Sequence, residues 1–349
     1  MVLVFSFNPP APPRQPTTLS TMTQSTMTRP TRRNILQAAA ASAAAIALPA
    51  FAEWPEKPLK IIVTFAPGGA SDIVARVMAE ALAKKLGQPV IVENRPGAGG
   101  SVGGLAVAQA PADGYTVMLS NSTPISLGPF ALEKQPYDPV AGFTHIALIG
   151  SAPCVVMANP LAGIRALPDL EALARKNGRL DFGSGGPASI GHIYGELMKK
   201  QMGVNLQHVP YRGGAPMTTD LIAGIIPVGI DVVTAFVPYF KSGQIVPVAV
   251  TSATRSPLVP DVPSVVELGY RNLVLDNFFG ISGPANLPPA VVARLNSATN
   301  EVLAQADIKK RMLDLGITTS ANSSAAFTSY VRGQVDTLAP VVKGAGVRL

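Results

Sequence analysis

The chain has 349 residues, 47% of them hydrophobic and 14% charged, with a formal net charge of +7. That length accommodates two domains of ordinary size, and Gly 32 plus Pro 33 stays below the level of a chain disordered throughout. Arg14, Arg29, Arg32 and Arg33 precede Glu53 with no acid among them, which leaves 24 basic and 21 acidic residues in the remainder and excludes the electrostatic footprint of a nucleic-acid binder. The N-terminus reads as an export signal. Thr31-Arg32-Arg33-Asn34-Ile35-Leu36-Gln37 is a twin-arginine pattern, followed by an alanine-rich apolar run from Ala38 to Leu48. Small residues in Ala50-Phe51-Ala52 then predict cleavage after Ala52, which places the mature protein in the periplasm. The alanine-dominated run suits the Tat route better than Sec. It is too short and too poor in Leu and Phe for a retained anchor, since a span needs about 20 apolar residues. Residues 1–26 read as an over-long start, with Met22 or Met27 as the initiator. The single Cys154 forms no internal disulfide and lies too far from the signal to carry a lipid anchor.

From Glu53 onward the pattern alternates strand and helix. Leu59–Phe65 predicts a strand, and Ile73, Val74, Val77, Met78, Ala81 and Leu82 fall on one face of a helix over Ser71–Lys85. Between them lies Phe65-Ala66-Pro67-Gly68-Gly69-Ala70-Ser71-Asp72. Strand, Gly-Gly turn and helix together build an anion site from main chain alone: glycine admits a ligand close to the backbone, and the first helical turn presents unpaired N–H groups at the positive end of the helix dipole. An ordinary strand-to-helix turn looks the same, so this stretch does not decide the matter by itself.

Val90–Glu93 predicts a second strand running into Asn94-Arg95-Pro96-Gly97-Ala98-Gly99-Gly100, then a helix over Ser101–Ala110. Tyr115–Ser120 is a third strand, ending in Asn121-Ser122-Thr123-Pro124. Thr144–Leu148 and Cys154–Ala158 read as two strands separated by Gly150-Ser151-Ala152-Pro153. After a helix over Leu167–Lys176 a second alternation begins. Leu180–Phe182 leads through Gly183-Ser184-Gly185-Gly186-Pro187-Ala188-Ser189 into a helix, Ile190–Met202. Leu206–Pro210 leads through Tyr211-Arg212-Gly213-Gly214 into a helix over Ala215–Ala223. Val228–Val233 and Val246–Thr251 are strands, and Pro289–Gln305, Asp307–Leu315 and Ala325–Val342 are helices with little strand between them. The expectation is an α/β protein of two units, each a mostly parallel sheet flanked by helices. Ligands of such sheets sit off the carboxyl ends of strands, where every Gly/Ser loop above falls, together with Asn94 and Ser120.

Several chemistries fail on spacing. Gly97-Ala98-Gly99-Gly100-Ser101-Val102 places Val102 where G-x-G-x-x-G needs glycine, and no phosphate-loop motif is present, so no cofactor is expected. His192 and Glu196 share a helix face without H-E-x-x-H or a cysteine pair, so no metal site is expected. Ser184, His192 and Asp231 draw a hydrolase triad on paper, but Phe-Gly-Ser-Gly-Gly lacks the elbow spacing of a nucleophilic serine. Asp72 and Asp231 serve either as helix caps or as holders of an ordered water or a ligand amine. Arg95 and Arg212 are loop arginines able to pair with carboxylates. The remaining set of neutral donor loops fits capture of a small anion, not catalysis.

Read in order, Trp54-Pro55-Glu56-Lys57-Pro58, Phe65 to Asp72, Val92 to Gly100, Asp113-Gly114-Tyr115-Thr116, Val209 to Gly214, Pro260-Asp261-Val262-Pro263-Ser264 and Arg294-Leu295-Asn296 resemble the Bug (TctC) family of extracytoplasmic solute receptors of tripartite tricarboxylate transporters. The resemblance covers essentially everything after Glu53. It implies a two-lobed type II periplasmic binding protein of the Venus-flytrap kind, monomeric, taking a small carboxylate and serving a membrane permease. It implies domain 1 over 53–154 and 277–349 and domain 2 over 155–276, with hinges near Cys154–Ala158 and Thr251–Phe278. It also implies capture by main-chain N–H groups, hydroxyls and bridging waters. Carried over by position, the first loop is Phe65, Ala66, Pro67, Gly68, Gly69, Ser71 and Asp72, and the facing loop runs from Ser184 through Ser189 to His192. Tyr211, Gly213, Gly214 and Asp231 complete the cleft. Two departures stand out. Phe278 occupies a position where family members usually carry Trp, with an expected effect on the cleft near the hinge, and Pro227 and Gly229 fall in a strand that is normally regular. A ligand-sensing receptor for a membrane sensor and a serine hydrolase using Ser184 remain the alternatives.

Overall fold

The computed structural model describes residues 54–347, so the export signal and the cleavage expected after Ala52 lie outside the described residues. Strand β1 (Leu59–Val63) sets the pattern for the fold. Ile61 and Val63 join a core that also holds Val74 and Met78 of helix α1 (Ala70–Leu86), whereas Ile62 faces the other way, into a smaller core with Val107, Met118 and Phe327. A strand buried on both faces reads as a near-continuous apolar run, as this one does apart from the half-buried Lys60, which pairs with Glu93. Helix α1 stops where Gly87 adopts the left-handed conformation and its N–H bonds back to Ala83 O.

The chain continues through β2 (Val90–Asn94), α2 (Ser101–Ala108), β3 (Thr116–Asn121), α3 (Gly128–Ala131) and β4 (Phe143–Ala158). Then come α4 (Leu167–Asn177), β5 (Leu180–Ser184), α5 (Ile190–Met202), β6 (Leu206–Pro210), α6 (Gly214–Ile222), β7 (Val228–Val232), α7 (Val237–Lys241) and β8 (Val246–Val250). The last section is β9 (Asp276–Pro284), α8 (Pro289–Ala304), α9 (Ala306–Asp314), β10 (Thr318–Thr319) and α10 (Ser324–Gly344). The strands run in the order β2-β1-β3-β9-β4-β7-β5-β6, with β8 and β10 pairing on β4.

The sheet is mixed where a mostly parallel one was expected. β1 pairs in parallel with β2 and β3, and β5 with β6 and β7, as strand–helix alternation requires. Between these two parallel sets, β9 and β4 run antiparallel to their neighbours. The two strands expected at Thr144–Leu148 and Cys154–Ala158 are one. Gly150-Ser151-Ala152-Pro153 has turn composition, but the chain stays extended because β9 pairs with it from Phe143 to Pro153, with register shifts between His145 and Ala147 and between Leu148 and Gly150. From Cys154 to Ala158 the partners of β4 become β7 and β8.

Strand β9 went unread for a related reason: Gly280, Ser282, Gly283 and Pro284 mask it as loop. Small residues are what the position demands. A Cβ at Gly280 would come within 2.3 Å of the Phe327 ring, and one at Gly283 within 2.5 Å of Leu287. The interruption expected at Pro227 and Gly229 does not occur; β7 is regular, with Gly229 between Met157 and Gly183.

Where β4 changes partners, a second crossing segment is tied to it through one threonine. The Cys154 N–H donates to Thr251 Oγ1 at 2.9 Å, and that hydroxyl donates to Leu275 O at 2.6 Å. The Thr251 N–H bonds to Cys154 O and the Leu275 N–H to Thr251 O, both at 3.0 Å. Thr251 and Cys154 are fully buried. Thr251→Val therefore strands a buried donor and a buried acceptor, and urea unfolding of the ligand-free protein is expected to show a loss of about 2–4 kcal/mol. Thr251→Ser, which keeps the hydroxyl, is expected to recover most of it.

Candidate functional site

Three helices begin at one place. Helix α1 starts after Gly69, α5 after Ser189 and α6 after Gly213, and residues from all three starts line a common pocket: Gly69, Ala70 and Ser71; Ser189 and Ile190; and Gly214. Each follows the carboxyl end of a parallel strand, β1, β5 or β6, which is why the topology brings them together. The first turn of each helix carries N–H groups without intrahelical partners and the positive end of its dipole.

The loop between β1 and α1 is held from behind. Asp72 accepts the Gly68 N–H at 3.0 Å, binds Arg76 through both oxygens at 2.9 and 3.0 Å, and accepts from Asn94 Nδ2 at 3.0 Å. Asn94 Nδ2 also donates to Phe65 O at 3.0 Å. Burial alone raises the Asp72 pKa, but the hydrogen bonds from Arg76, Gly68 and Asn94 outweigh it and hold the carboxyl below its ordinary range. Asp72 and Asn94 thus shape the loop and do not line the pocket.

The facing loop is stapled by Ser184. Its buried Oγ lies 2.7 Å from His208 Nε2 and accepts from the Gly186 N–H and the Ser189 hydroxyl at 3.2 and 3.0 Å. His192 stacks on His208 with ring centroids 3.7 Å apart, and its Nδ1 accepts the Ala188 N–H at 3.0 Å. Burial pushes His192 down to about 4, helped by nearby Lys199. It pushes His208 down to about 3, helped by His192. Both rings are neutral at neutral pH and serve as structural props. The triad drawn from Ser184, His192 and Asp231 is not assembled: Ser184 is buried against His208, and the hydrogen bond of Asp231 is to the Val232 N–H.

Each of the two loops meets a neighbour: the β1–α1 loop meets the β6–α6 loop, and the facing loop meets the β2–α2 loop. A Cβ on Gly213 would lie 3.1 Å from Ala66 Cβ, and one on Gly99 3.0 Å from Ala188 Cβ. Both glycines also have positive φ, 131° and 57°, so the backbone conformation favours glycine there and the space is tight. Behind this contact is an inner chamber of about 30 Å³, room for about two waters. In front is an outer chamber of about 370 Å³, and Phe65 and Gly185 line both.

Of the residues singled out from sequence, Phe65, Gly69, Ser71, Ser189, Gly214 and Asp231 line the inner chamber, and Tyr211 lines the outer. Ala66 and Gly213 form the contact between loops, Gly68 faces Ala215 across it, and Pro67 is exposed beside them. Ser120 turns away from the pocket, toward the Ser282 hydroxyl at 2.9 Å. Its neighbour Asn121 lines the pocket instead, donating to Ser71 Oγ at 3.0 Å while its Oδ1 accepts the Thr123 N–H. Strand alternation made a one-residue error a change of face. Thr123, whose Oγ1 accepts the Ile190 N–H at 3.2 Å, and Asn277 were also missed. Asn277 lies on the unread β9. Phe278 beside it points away from the cleft, edge-on to Phe327 and Tyr330, so the expected reshaping of the cleft by this residue is not seen.

Among the described residues, no cluster of three or more His, Cys, Asp or Glu is placed to hold a metal, and no helix is long and apolar enough to cross a membrane. A mixed sheet with flanking helices and a pocket at the convergence of strand ends is the fold of periplasmic binding proteins. Residues 74–347 match the model of the tripartite tricarboxylate transporter family receptor, TctC, and the chain belongs to that family. It is 32% identical over 298 residues to protein BugT of Bordetella pertussis, covering 85% of this chain and 91% of BugT. Among solved structures it resembles the periplasmic binding protein BugD at 32% identity and a TM-score of 0.79, covering 84% of this chain and 99% of BugD. It also resembles an R. palustris protein solved with adipate, at 29% identity and a TM-score of 0.81, with 84% and 99% of the two chains covered. These relatives are solute-binding proteins, not enzymes.

Asp231 is the one charged residue lining the inner chamber. Burial pushes its carboxyl up to about 6, against a smaller downward pull from the Val232 N–H at 2.8 Å. The folded protein therefore keeps this proton to about pH 6, whereas the unfolded chain releases it near 3.8. The contribution of Asp231 is most favourable below the lower value and is lost as pH rises through the upper. Asp231→Asn is expected to gain stability relative to wild type by about 1–3 kcal/mol between pH 4 and 7, measured by melting of the ligand-free proteins. A difference independent of pH would show that Asp231 is solvated like a surface carboxylate.

Proposed function

We propose that the chain is an exported, monomeric receptor that closes two lobes over a small carboxylate and delivers it to the membrane permease of a tripartite tricarboxylate-type transporter. The lobes are 53–154 with 277–349, and 155–276. The switch of β4 partners at Cys154 and its tie to Thr251 support placing the hinge there. The observation that carries the reading is the convergence of three helix starts on one pocket whose inner lining contains no cation. Such a site attracts an anion through oriented N–H groups without fixing it to a side-chain charge. Ser71, Asn121, Thr123, Ser189 and Asn277 add neutral polar groups for ligand oxygens or bridging waters. Asp231 at the same chamber takes an ordered water or a donor group of the ligand. The adipate bound by the R. palustris relative fits this chemistry.

Closure is a hinge motion in which the Ala66–Gly213 and Gly99–Ala188 approaches define the shut state, and ligand contacts with both loops stabilise it. Gly69 gives the test. Its φ of −82° suits any residue, and a Cβ there meets only Ala66 O, at 3.8 Å. Gly69→Val therefore folds but fills the space beside the first-turn amides. In a thermal-shift screen of carboxylates, a ligand at 100 times its Kd adds about 2.7 kcal/mol to wild type. Gly69→Val is expected to lose that shift while its ligand-free melting temperature stays within a few degrees. Wild-type affinity in the variant, or no shift from any carboxylate, would refute the reading.

A further inference from the structure

The inner chamber has room for about two waters, so most of a bound molecule must lie elsewhere. The outer chamber, about 370 Å³, continues from it at Phe65 and Gly185. One wall is the arc from Pro96 to Gly100; the other is Gly186, Pro187, Tyr211 and Arg212. This second wall is fixed. The Tyr211 hydroxyl donates to Asp220 Oδ2 at 2.8 Å, a Cβ on Gly186 would come within 2.7 Å of Tyr211 O, and Gly213 abuts Ala66. Arg212 is held between these two anchored residues.

The charges of the two chambers are opposite. Asp231 is the one charged residue lining the inner chamber, and Arg212 the one lining the outer. Six described arginines, Arg76, Arg95, Arg175, Arg179, Arg255 and Arg311, each meet a carboxylate, whereas Arg165, Arg271, Arg294 and Arg332 do not, and of the unpaired ones only Arg212 lines either chamber. Arg212 is exposed and pairs with no carboxylate among the described residues, so its guanidinium fork is open to a ligand. A molecule with anions at both ends cannot place both beside Asp231. One end can meet the helix amides, and the other finds the opposite charge beyond Phe65.

We infer that the outer chamber is a second subsite, in which Arg212 pairs with the distal carboxylate of an elongated ligand, so that the receptor selects extended dicarboxylates over monocarboxylates of equal length. This rests on the carboxylate reading given above. The apolar lining from Phe65, Pro96, Ala98 and Pro187 suits the methylene chain between the two ends.

Isothermal titration of succinate, adipate and azelate against butyrate, hexanoate and nonanoate tests it. Wild type is expected to prefer the longer dicarboxylates over their monocarboxylate counterparts, with a preference that weakens as salt is raised. Arg212→Gln is expected to lower the dicarboxylate-to-monocarboxylate affinity ratio about tenfold, the scale of one charge-assisted hydrogen bond. Arg212→Lys is expected to restore part of it. Arg332→Gln, on a separate surface groove beside α10, leaves the ratio unchanged. Because Arg212 is exposed and unpaired, the variants are expected to melt with wild type. If Arg212→Gln lowers both ligand classes equally, or neither, the subsite is refuted while the carboxylate reading stands. If none of the six acids binds wild type, the carboxylate reading falls and the subsite with it.

Discussion

Three helix starts at one point impose the main constraint on this molecule. Their first-turn amides lack intrahelical partners, two of those in α5 donating instead to Thr123 Oγ1 and Ser189 Oγ, and with the helix dipoles they favour negative charge in the pocket. The loops around the pocket are built from glycine, alanine and proline, and the side chains that matter most stand behind them. Asp72 and Asn94 fix one loop; Ser184, His192 and His208 fix the other. The two histidines, stacked and kept neutral by burial, contribute shape instead of charge.

Mechanical continuity comes from β4 and β9. They run against the grain of two parallel sets and join them into one sheet path, so the loop carried by β1 and the loops carried by β5 and β6 are positioned by a shared spine. The bonds of Thr251 to Cys154 and Leu275 tie the second crossing to the first.

Electrostatics give the pocket a direction. A carboxyl at the inner chamber is disfavoured as an anion by its burial, while an unpaired guanidinium lines the outer chamber. Neutral amides lie between them. The two chambers therefore differ in the sign of the charge on their lining, Asp231 in the inner and Arg212 in the outer.

Much was legible in the amino-acid order. The apolar run Leu59–Val63, the amphipathic helix after it, and the repeated strand–glycine–helix units give the α/β class and the helix starts, because these signals are local and periodic. The resemblance to solute receptors was likewise carried by short stretches in fixed order, and the family match bears it out. What the tertiary structure decided was everything that depends on a distant partner. Gly150 to Pro153 stays extended because β9 lies alongside. β9 is itself a strand because Phe327, Leu287 and the flanking strands leave room only for small residues. Asn121 and not Ser120 reaches the pocket because pairing fixes which face each residue takes. Local composition specifies an element; the contacts that choose between two faces, or between a turn and a strand, come from elsewhere in the chain, more than a hundred positions away for the β9 partners of β3 and β4.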